Sequence, residues 1–135
     1  VSNVLAYLED GDSLAAGVEA SWREREAQIR ELVADIESRD EPVIVAGDLN
    51  STDQSTVYRL LDGELSDAHR VSGWGLGHTF PAYGGSWRGI PIVARQMRID
   101  MVFYSDEFVA LSCSVGSDHG ESDHLPVLAE LAWRE

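Results

Sequence analysis

The stretch Pro42-Val-Ile-Val-Ala-Gly-Asp-Leu-Asn50 decides how the rest of the chain is interpreted. Its β-branched apolar run lies between a proline and a glycine, which is typical of a buried strand. Asp48 and Asn50 follow directly, so a rigid strand would hold two polar side chains where a ligand can reach them. An ordinary strand-to-helix turn explains the same residues, because Gly, Asp and Asn favour turns and Ser51 or Thr52 could cap a helix.

Length and composition place the chain among single globular domains. Its 135 residues are 44% hydrophobic, which is enough to bury a core. No apolar run approaches the length of a membrane span, and no signal-peptide pattern opens the sequence. Because the chain begins at Val1 rather than at a methionine, we expect it to be a piece of a longer protein. Its localisation stays open between the cytoplasm and the external side of a membrane to which the protein is anchored.

The charge balance is strongly acidic. Twenty-four acidic residues stand against ten arginines, no lysine is present, and the formal net charge is −14. An acidic surface retains hydration and stays soluble in concentrated salt, where its self-repulsion is screened. The complete absence of lysine favours a halophilic source over an acidic mesophilic one. We therefore expect the melting temperature to rise from low to molar salt, and an unchanged melting temperature in a thermal scan would contradict this.

The same charge argues against broad affinity for nucleic acid. Neutralising phosphates requires a basic stripe, and ten arginines in this acidic chain do not form one. In molar salt the argument weakens, because phosphate attraction is then screened for every protein. We expect no stable nucleic-acid complex.

Cysteine usage excludes two further classes of protein. The single cysteine, Cys113, allows neither an internal disulfide framework nor a cysteine-rich zinc site. It lies within the apolar run 108–115, which predicts a packed strand residue rather than a nucleophile.

Two helices are predicted around the opening stretch. Ser21-Trp-Arg-Glu24 fits a capping box, so we place the first helix at about 20–38, after a strand at residues 1–8. Its apolar residues recur at helical spacing: Ile29, Leu32, Val33 and Ile36. A shorter helix, with an apolar side of its own, is expected at about 54–61.

The second half of the chain is predicted to be loop-rich and then to form three strands. Residues 62–96 contain many glycines among large aromatics, which indicates either loops shaped around a ligand or a surface excursion with an aromatic plug. Apolar alternation predicts strands at 97–104, 108–115 and 127–133. Asp100 interrupts the first of them, and a carboxylate inside a strand usually has a partner or a function. The element order predicts a mixed α/β layer.

Polar side chains mark three predicted strand ends: Asp48 with Asn50, Asp100, and Asp123 with His124. Carboxylates, an amide and an imidazole without cysteine suit a hard cation such as Mg²⁺ or Mn²⁺. The same groups suit hydrolysis of a phosphate ester. A carboxylate can deprotonate water, and an amide or an imidazolium can bind phosphoryl oxygens.

Three other interpretations of these polar residues are weaker. The stretch 48–53 imitates a calcium loop but lacks its glycine and its terminal glutamate. Ser86 lacks the downstream glycine of a nucleophile elbow. His119 and His124 lie near acids in one loop, which leaves a zinc pair open.

Three short motifs in a fixed order give the chain a family resemblance. Gly47-Asp-Leu-Asn50, Arg98-Ile-Asp100 and Ser122-Asp-His124 resemble the C-terminal signatures of the endonuclease/exonuclease/phosphatase superfamily, and the resemblance runs from about residue 20 to 133. It implies an α+β fold, the DNase I-like α/β sandwich. Residues 1–135 would be a single partial domain, the C-terminal half only, with one mixed, mainly antiparallel sheet and flanking helices. The implied activity is a Mg²⁺-dependent phosphoric ester hydrolase, either a nuclease or a phosphatase, with Mn²⁺ as the alternative cofactor.

The resemblance also implies roles for individual residues. Asp48 would activate the attacking water and share the metal with Asp123, which would contact it directly or through water. Asn50 would hydrogen-bond the scissile phosphate or the water. His124 would bind a phosphoryl oxygen, and Asp100 would hold the tautomer of that imidazole.

Within the superfamily, the segment 75–82 resembles a bacterial and archaeal subgroup that often carries membrane segments. Some of its members act on cell-envelope lipids. This makes Trp74, His78, Thr79 and Phe80 candidate substrate contacts, with a well-packed loop as the alternative.

The chain also departs from the family pattern. In the family the N-terminal half of the domain supplies a metal-binding asparagine and glutamate, and neither motif is present here. The missing N-terminal half is therefore an expected partner, beside a phosphate-ester substrate of the nucleic-acid, nucleotide or phospholipid type. We expect this fragment alone to bind divalent metal weakly and to hydrolyse little or nothing. Two alternatives stay open: a non-catalytic binding or scaffold module derived from the fold, and a domain that borrows the missing ligands from a second copy.

Overall fold

The structure, a computed structural model, describes residues 11–135. The described elements are, in chain order, α1 (Gly11–Glu37), β1 (Ile44–Asp48), α2 (Thr56–Asp62), β2 (Ser66–Asp67), α3 (Ala68–Ser72), β3 (Gly85–Trp87), β4 (Ile90–Ile92), β5 (Asp100–Tyr104), β6 (Phe108–Val115) and β7 (Val127–Trp133). All strand ladders are antiparallel in this part of the chain, which confirms the α+β class. The strand expected at residues 1–8 lies outside the described residues. No described helix is both long and apolar enough to cross a membrane.

Helix α1 is longer than predicted. It begins at Gly11 and contains Ser21, so the predicted capping box is wrong. The run Leu14-Ala-Ala16 accounts for the earlier start, because leucine and alanine are strong helix formers. Ser21 Oγ instead accepts a hydrogen bond from Arg25 Nη2 at 2.9 Å, one turn further along the helix. The predicted apolar face is confirmed, since its four residues join one core cluster: Ile29, Leu32, Val33 and Ile36.

Helix α2 is close to its predicted position. Its N-cap is Ser55, whose Oγ accepts from the backbone N–H of Tyr58 at 3.0 Å, so neither Ser51 nor Thr52 caps it. Val57, Tyr58 and Leu61 are buried, and Tyr58 and Leu61 pack in one core cluster with α1 and β5.

Strand β5 lies between two cores. Met101 and Phe103 face the helices, whereas Val102 and Tyr104 belong to a second cluster with β6 and β7. This confirms the predicted alternation of faces, although the ladder itself begins only at Asp100.

Strand β1 forms as predicted, but only one of its faces is covered. Val45 packs on the helix-side core, whereas Ile44 is 51% exposed on the opposite face. The prediction of a buried strand is therefore wrong for that face, because no layer of residues 11–135 covers it. The register with β5 places Asp48 directly opposite Asp100, so two carboxylates stand side by side on the uncovered face.

Strands β6 and β7 coincide with their predicted ranges. Cys113 is 5% exposed within β6, which confirms a packed residue. The two strands pair only with each other, so the described strands form three antiparallel sheets instead of the single sheet expected. The physical reason is that Val127, Ala129 and Leu131 of β7 pack against the face of β5 that carries Val102 and Tyr104. Strands β6 and β7 therefore form a second layer and do not extend the ladder of β5.

The region 62–96, which was predicted to be loop-rich, contains the short elements β2, α3, β3 and β4. Asp67 caps α3, and its Oδ1 accepts from the backbone N–H of His69 at 2.9 Å. Strands β3 and β4 form a hairpin whose two-residue turn, Arg88-Gly89, has φ values of 50° and 82°. Two consecutive positive φ values match the twist of a tight hairpin. The pattern missed these elements because each spans only a few residues.

Candidate active site

Three side chains converge at the ends of β1 and β5. His124 Nδ1 lies 2.8 Å from Asp100 Oδ2, and His124 Nε2 lies 4.0 Å from Asp48 Oδ2. One potential ligand atom from each residue lies within 4.8 Å of the others. Asp123 stands at the rim, with its Oδ1 4.0 Å from His124 Nε2 and its side chain 66% exposed. The structure thus brings together four of the five residues that the motifs selected.

The loop after β1 orients Asp48. The backbone N–H of Asn50 donates to Asp48 Oδ1 at 2.7 Å, and the backbone N–H of Leu49 donates to the carbonyl of Ile99 at 2.8 Å. Asn50 has a φ of 48°, a left-handed conformation that asparagine tolerates better than most residues. Because one oxygen of Asp48 is held by the loop, the other is left toward His124.

Backbone and ring contacts hold His124 in place. Its backbone N–H donates to Ser122 Oγ at 3.0 Å, and its ring lies 4.8 Å from the ring of Phe80. The next residue, Leu125, donates its N–H to the carbonyl of Thr79 at 2.9 Å. The Ser-Asp-His segment is therefore tied to the loop that begins at residue 78.

The other predicted substrate contacts differ in their exposure and in their hydrogen-bond partners. Thr79 has no exposed surface, and its Oγ1 accepts from the backbone N–H of Asp100 at 3.4 Å, so it supports the strand end that carries this carboxylate. The Nδ1–H of His78 donates to the carbonyl of Arg95 at 2.8 Å. Trp74 is 95% exposed at the surface.

The environment of His124 favours its charged form. Burial alone would lower the pKa of this imidazole, but the hydrogen bond to Asp100 and the charges of Asp100, Asp48 and Asp123 outweigh burial and raise the pKa above its ordinary value. At neutral pH a larger fraction of His124 is therefore an imidazolium, with Nδ1–H directed at Asp100 and Nε2–H free to donate.

Asp100→Asn is expected to lower the pKa of His124, because the variant removes the charge that opposes the effect of burial. An NMR titration of the His124 ring proton measures the pKa directly. Any activity that needs the imidazolium should then decline at a lower pH than in the wild type, since protonation is lost as the pH rises through the pKa. The exposed Asp106→Asn serves as the matched control. An unchanged His124 pKa in Asp100→Asn would contradict the assigned pairing.

A buried ion pair lies behind the site and was not predicted. Arg98 Nη1 donates to Asp67 Oδ2 at 2.7 Å, and these two side chains are 7% and 0% exposed. The hydroxyl of Tyr58 donates to the same oxygen at 2.8 Å, and burial is the main cause that raises the pKa of Tyr58 to about 12. The motif Arg98-Ile-Asp100 is therefore anchored at its arginine, two residues before the catalytic candidate.

Two features bear on metal binding. In the described part of the chain, the cluster of potential ligands is Asp48, Asp100 and His124, and carboxylate oxygens are the ligands that hard cations prefer. His119, the alternative zinc residue, is outside this cluster and its ring lies 5.3 Å from that of Tyr83. Two carboxylates and an imidazole are donors that suit a divalent metal ion.

An acid–imidazole pair beside a second carboxylate, at the end of an antiparallel sheet, is an arrangement suited to hydrolysis. The chain belongs to the endonuclease/exonuclease/phosphatase family, whose sequence model matches residues 3–124. No curated protein matches the chain.

Solved structures share the fold. An endonuclease/exonuclease/phosphatase from Bacteroides vulgatus is 26% identical, with a TM-score of 0.64. The match covers 82% of this chain and 44% of that protein. A functionally unknown conserved protein from Enterococcus faecalis is 20% identical, with a TM-score of 0.66, and the match covers 84% of this chain and 46% of that protein. The mannosyl-6-phosphatase of Bacteroides thetaiotaomicron is 24% identical, with a TM-score of 0.58, and the match covers 80% of this chain and 44% of that protein. The chain therefore spans less than half the length of these proteins, which have the DNase I-like fold.

Proposed function

We propose that this chain carries the C-terminal half of a phosphoesterase domain that cleaves phosphate esters by attack of water assisted by a divalent cation. The observation that carries the proposal is the cluster of Asp48, Asp100 and His124 at adjacent strand ends. Membership of the family and the fold shared with a phosphatase support it.

The hydrogen bonds of the cluster suggest a separate task for each side chain. Asp48 keeps Oδ2 unoccupied by the loop, so this oxygen can orient a water and accept its proton. Asp100 holds Nδ1–H of His124, which directs Nε2 toward the centre of the cluster. A protonated Nε2 then donates to a phosphoryl oxygen and stabilises the negative charge that develops there. Asn50 lines the same groove as His124 and supplies a neutral hydrogen-bonding group.

Asp48 and Asp123 are the residues proposed to hold the cation, because Asp100 is engaged with His124. A bound Mg²⁺ or Mn²⁺ would neutralise charge on the phosphate and lower the pKa of a coordinated water. Two carboxylates are fewer ligands than an octahedral cation requires, so water and another part of the protein would complete the shell.

The proposed partner is an N-terminal half that covers the exposed face of β1. Ile44 and Ala46 are exposed on the face that carries Asp48. A cleft of about 360 Å³ lies beside them and reaches Asp100, His119 and His124. Apolar residues adjoining polar catalytic groups are what a second packed layer would bury. We propose that further ligands come from that layer, and that this chain without it binds metal weakly and hydrolyses little.

Steady-state hydrolysis tests the proposed function. Protein that includes upstream residues is assayed on 4-nitrophenyl phosphate and on bis(4-nitrophenyl) phosphate, with Mg²⁺ and with EDTA. We expect turnover of one ester class that disappears with EDTA and returns when Mg²⁺ is restored. Turnover that is insensitive to chelation would contradict the metal-dependent mechanism, and absence of turnover on both esters would favour a binding module.

A further inference from the structure

An apolar groove opens directly beside His124, on the side of the cluster that faces α1. It has a volume of about 250 Å³, and His124 and Asn50 form part of its lining. Trp22 of α1, Phe80 and Met97 supply its apolar walls. Trp22 and Met97 are 45% and 38% exposed, so their side chains remain accessible to a ligand.

Arg25 lies between Trp22 and the loop that carries Asp48 and Asn50. The guanidinium of Arg25 lies 5.4 Å from the centre of the Trp22 ring, within the range of a cation–π interaction. The same guanidinium donates to the carbonyl of Asn50 at 3.5 Å. Arg25 therefore links the wall of the groove to the loop that orients Asp48.

The groove also contains an unused hydrogen-bonding group. Ser51 is 2% exposed and lines the groove, yet its Oγ has no hydrogen-bond partner among the described residues. A buried hydroxyl without a partner is costly, so a site of this kind favours a ligand that brings a polar atom.

Charge narrows the class of ligand further. The chain has a formal net charge of −14, but no residue lining this groove is acidic, and His124 is its only ionisable group. The guanidinium of Arg25 lies behind Trp22 and is engaged with its ring and with the carbonyl of Asn50, so a second phosphate in the groove would find no free cation in the lining. An uncharged group would meet neither repulsion nor a desolvated carboxylate.

From these observations, and resting on the proposed function, we infer that the groove binds the organic group of the phosphate ester, and that this group is uncharged and largely apolar. Trp22, Phe80 and Met97 contact its apolar part, and Ser51 Oγ hydrogen-bonds one polar atom. Trp22 is thus a specificity-determining residue contributed by α1. Phosphate esters in which the group attached to the scissile phosphate is anionic are disfavoured.

Binding of two phosphonates to protein that includes upstream residues, in the presence of Mg²⁺, tests the inference without requiring turnover. Methylphosphonate reports the phosphate site alone, and phenylphosphonate adds an uncharged ring, with the His124 ring proton as the NMR probe. We expect phenylphosphonate to bind about tenfold more tightly, because part of the ring is removed from water. In Trp22→Ala the affinity for phenylphosphonate should fall severalfold more than the affinity for methylphosphonate, so this preference is reduced. Trp133→Ala is the control, since Trp133 is 65% exposed at the far end of β7.

The outcomes distinguish failure of the groove assignment from failure of the proposed function. Equal affinities for both phosphonates, or a preference that survives in Trp22→Ala, would overturn the groove assignment while leaving the phosphate site intact. Failure of methylphosphonate to shift the His124 resonance would instead overturn the proposed function, and with it the inference that rests on it.

Discussion

Asp48→Asn is expected to reduce hydrolysis by about 100-fold to 10,000-fold, the range found when a general base is removed. The amide retains the shape of the side chain and can still accept from the backbone N–H of Asn50, so the loop keeps its conformation. What it loses is the proposed ability to accept a proton from water and the negative charge proposed to hold a cation. The measurement is kcat at saturating Mg²⁺ for the substrate that the wild type hydrolyses.

Stability measured in parallel separates lost chemistry from lost folding. The side chain of Asp48 is 34% exposed and lies opposite Asp100, and like charges facing each other across a ladder are destabilising. Asp48→Asn should therefore melt no lower than the wild type. The exposed Asp40→Asn, in the loop before β1, should retain full activity. Activity within threefold of wild type in Asp48→Asn would contradict the assignment of Asp48 as the base.

Arg98→Met is expected to give the largest loss of folding stability, about 3–5 kcal/mol, because it leaves the buried carboxylate of Asp67 without its cation. The hydrogen bonds that remain, from the hydroxyl of Tyr58 to Oδ2 and from the backbone N–H groups of His69 and Arg70 to Oδ1, do not supply a charge. Urea unfolding measures the free energy of unfolding for the wild type and the variant.

Two further variants identify the cause of that loss. Arg70→Met removes an arginine that is 59% exposed and 3.4 Å from Asp62, so it should cost at most about 1 kcal/mol. The double variant Arg98→Met with Asp67→Asn removes both charges, and should be clearly less destabilised than the sum of the two single variants. Additive effects, or a cost for Arg98→Met no larger than that for Arg70→Met, would show that the ion pair does not carry this stability.

The convergence of the site could be predicted because it depends on local signals. A β-branched run ending in Gly-Asp-x-Asn, and an aspartate at the start of another strong strand, each indicate a polar strand end. The antiparallel register then brings Asp48 opposite Asp100. The helical face of α1 was equally visible, since four apolar residues recur at helical spacing and all reach one core cluster.

The missed features depend on contacts between residues far apart in the chain. Asp67 lies in a two-residue strand, and its partner Arg98 is 31 positions away, so no local pattern indicates a buried pair. Trp22 was interpreted as part of a helix cap, whereas the longer helix places it at the groove beside His124. The exposed face of β1 could not be predicted from its apolar residues alone, because apolar composition indicates burial without identifying the layer that provides it.

Asp48, Asp100 and His124 are proposed to form a site where a divalent cation and a phosphate ester meet. The most direct measurement is the relaxation effect of Mn²⁺ on the ring protons of the four histidines in the NMR spectrum. We expect the His124 resonance to broaden at the lowest Mn²⁺ concentration while those of His69 and His78 remain sharp. Asp48→Asn should shift the broadening of His124 to higher Mn²⁺ concentration. Broadening that begins at another histidine, or that is unaffected by Asp48→Asn, would contradict the assigned site.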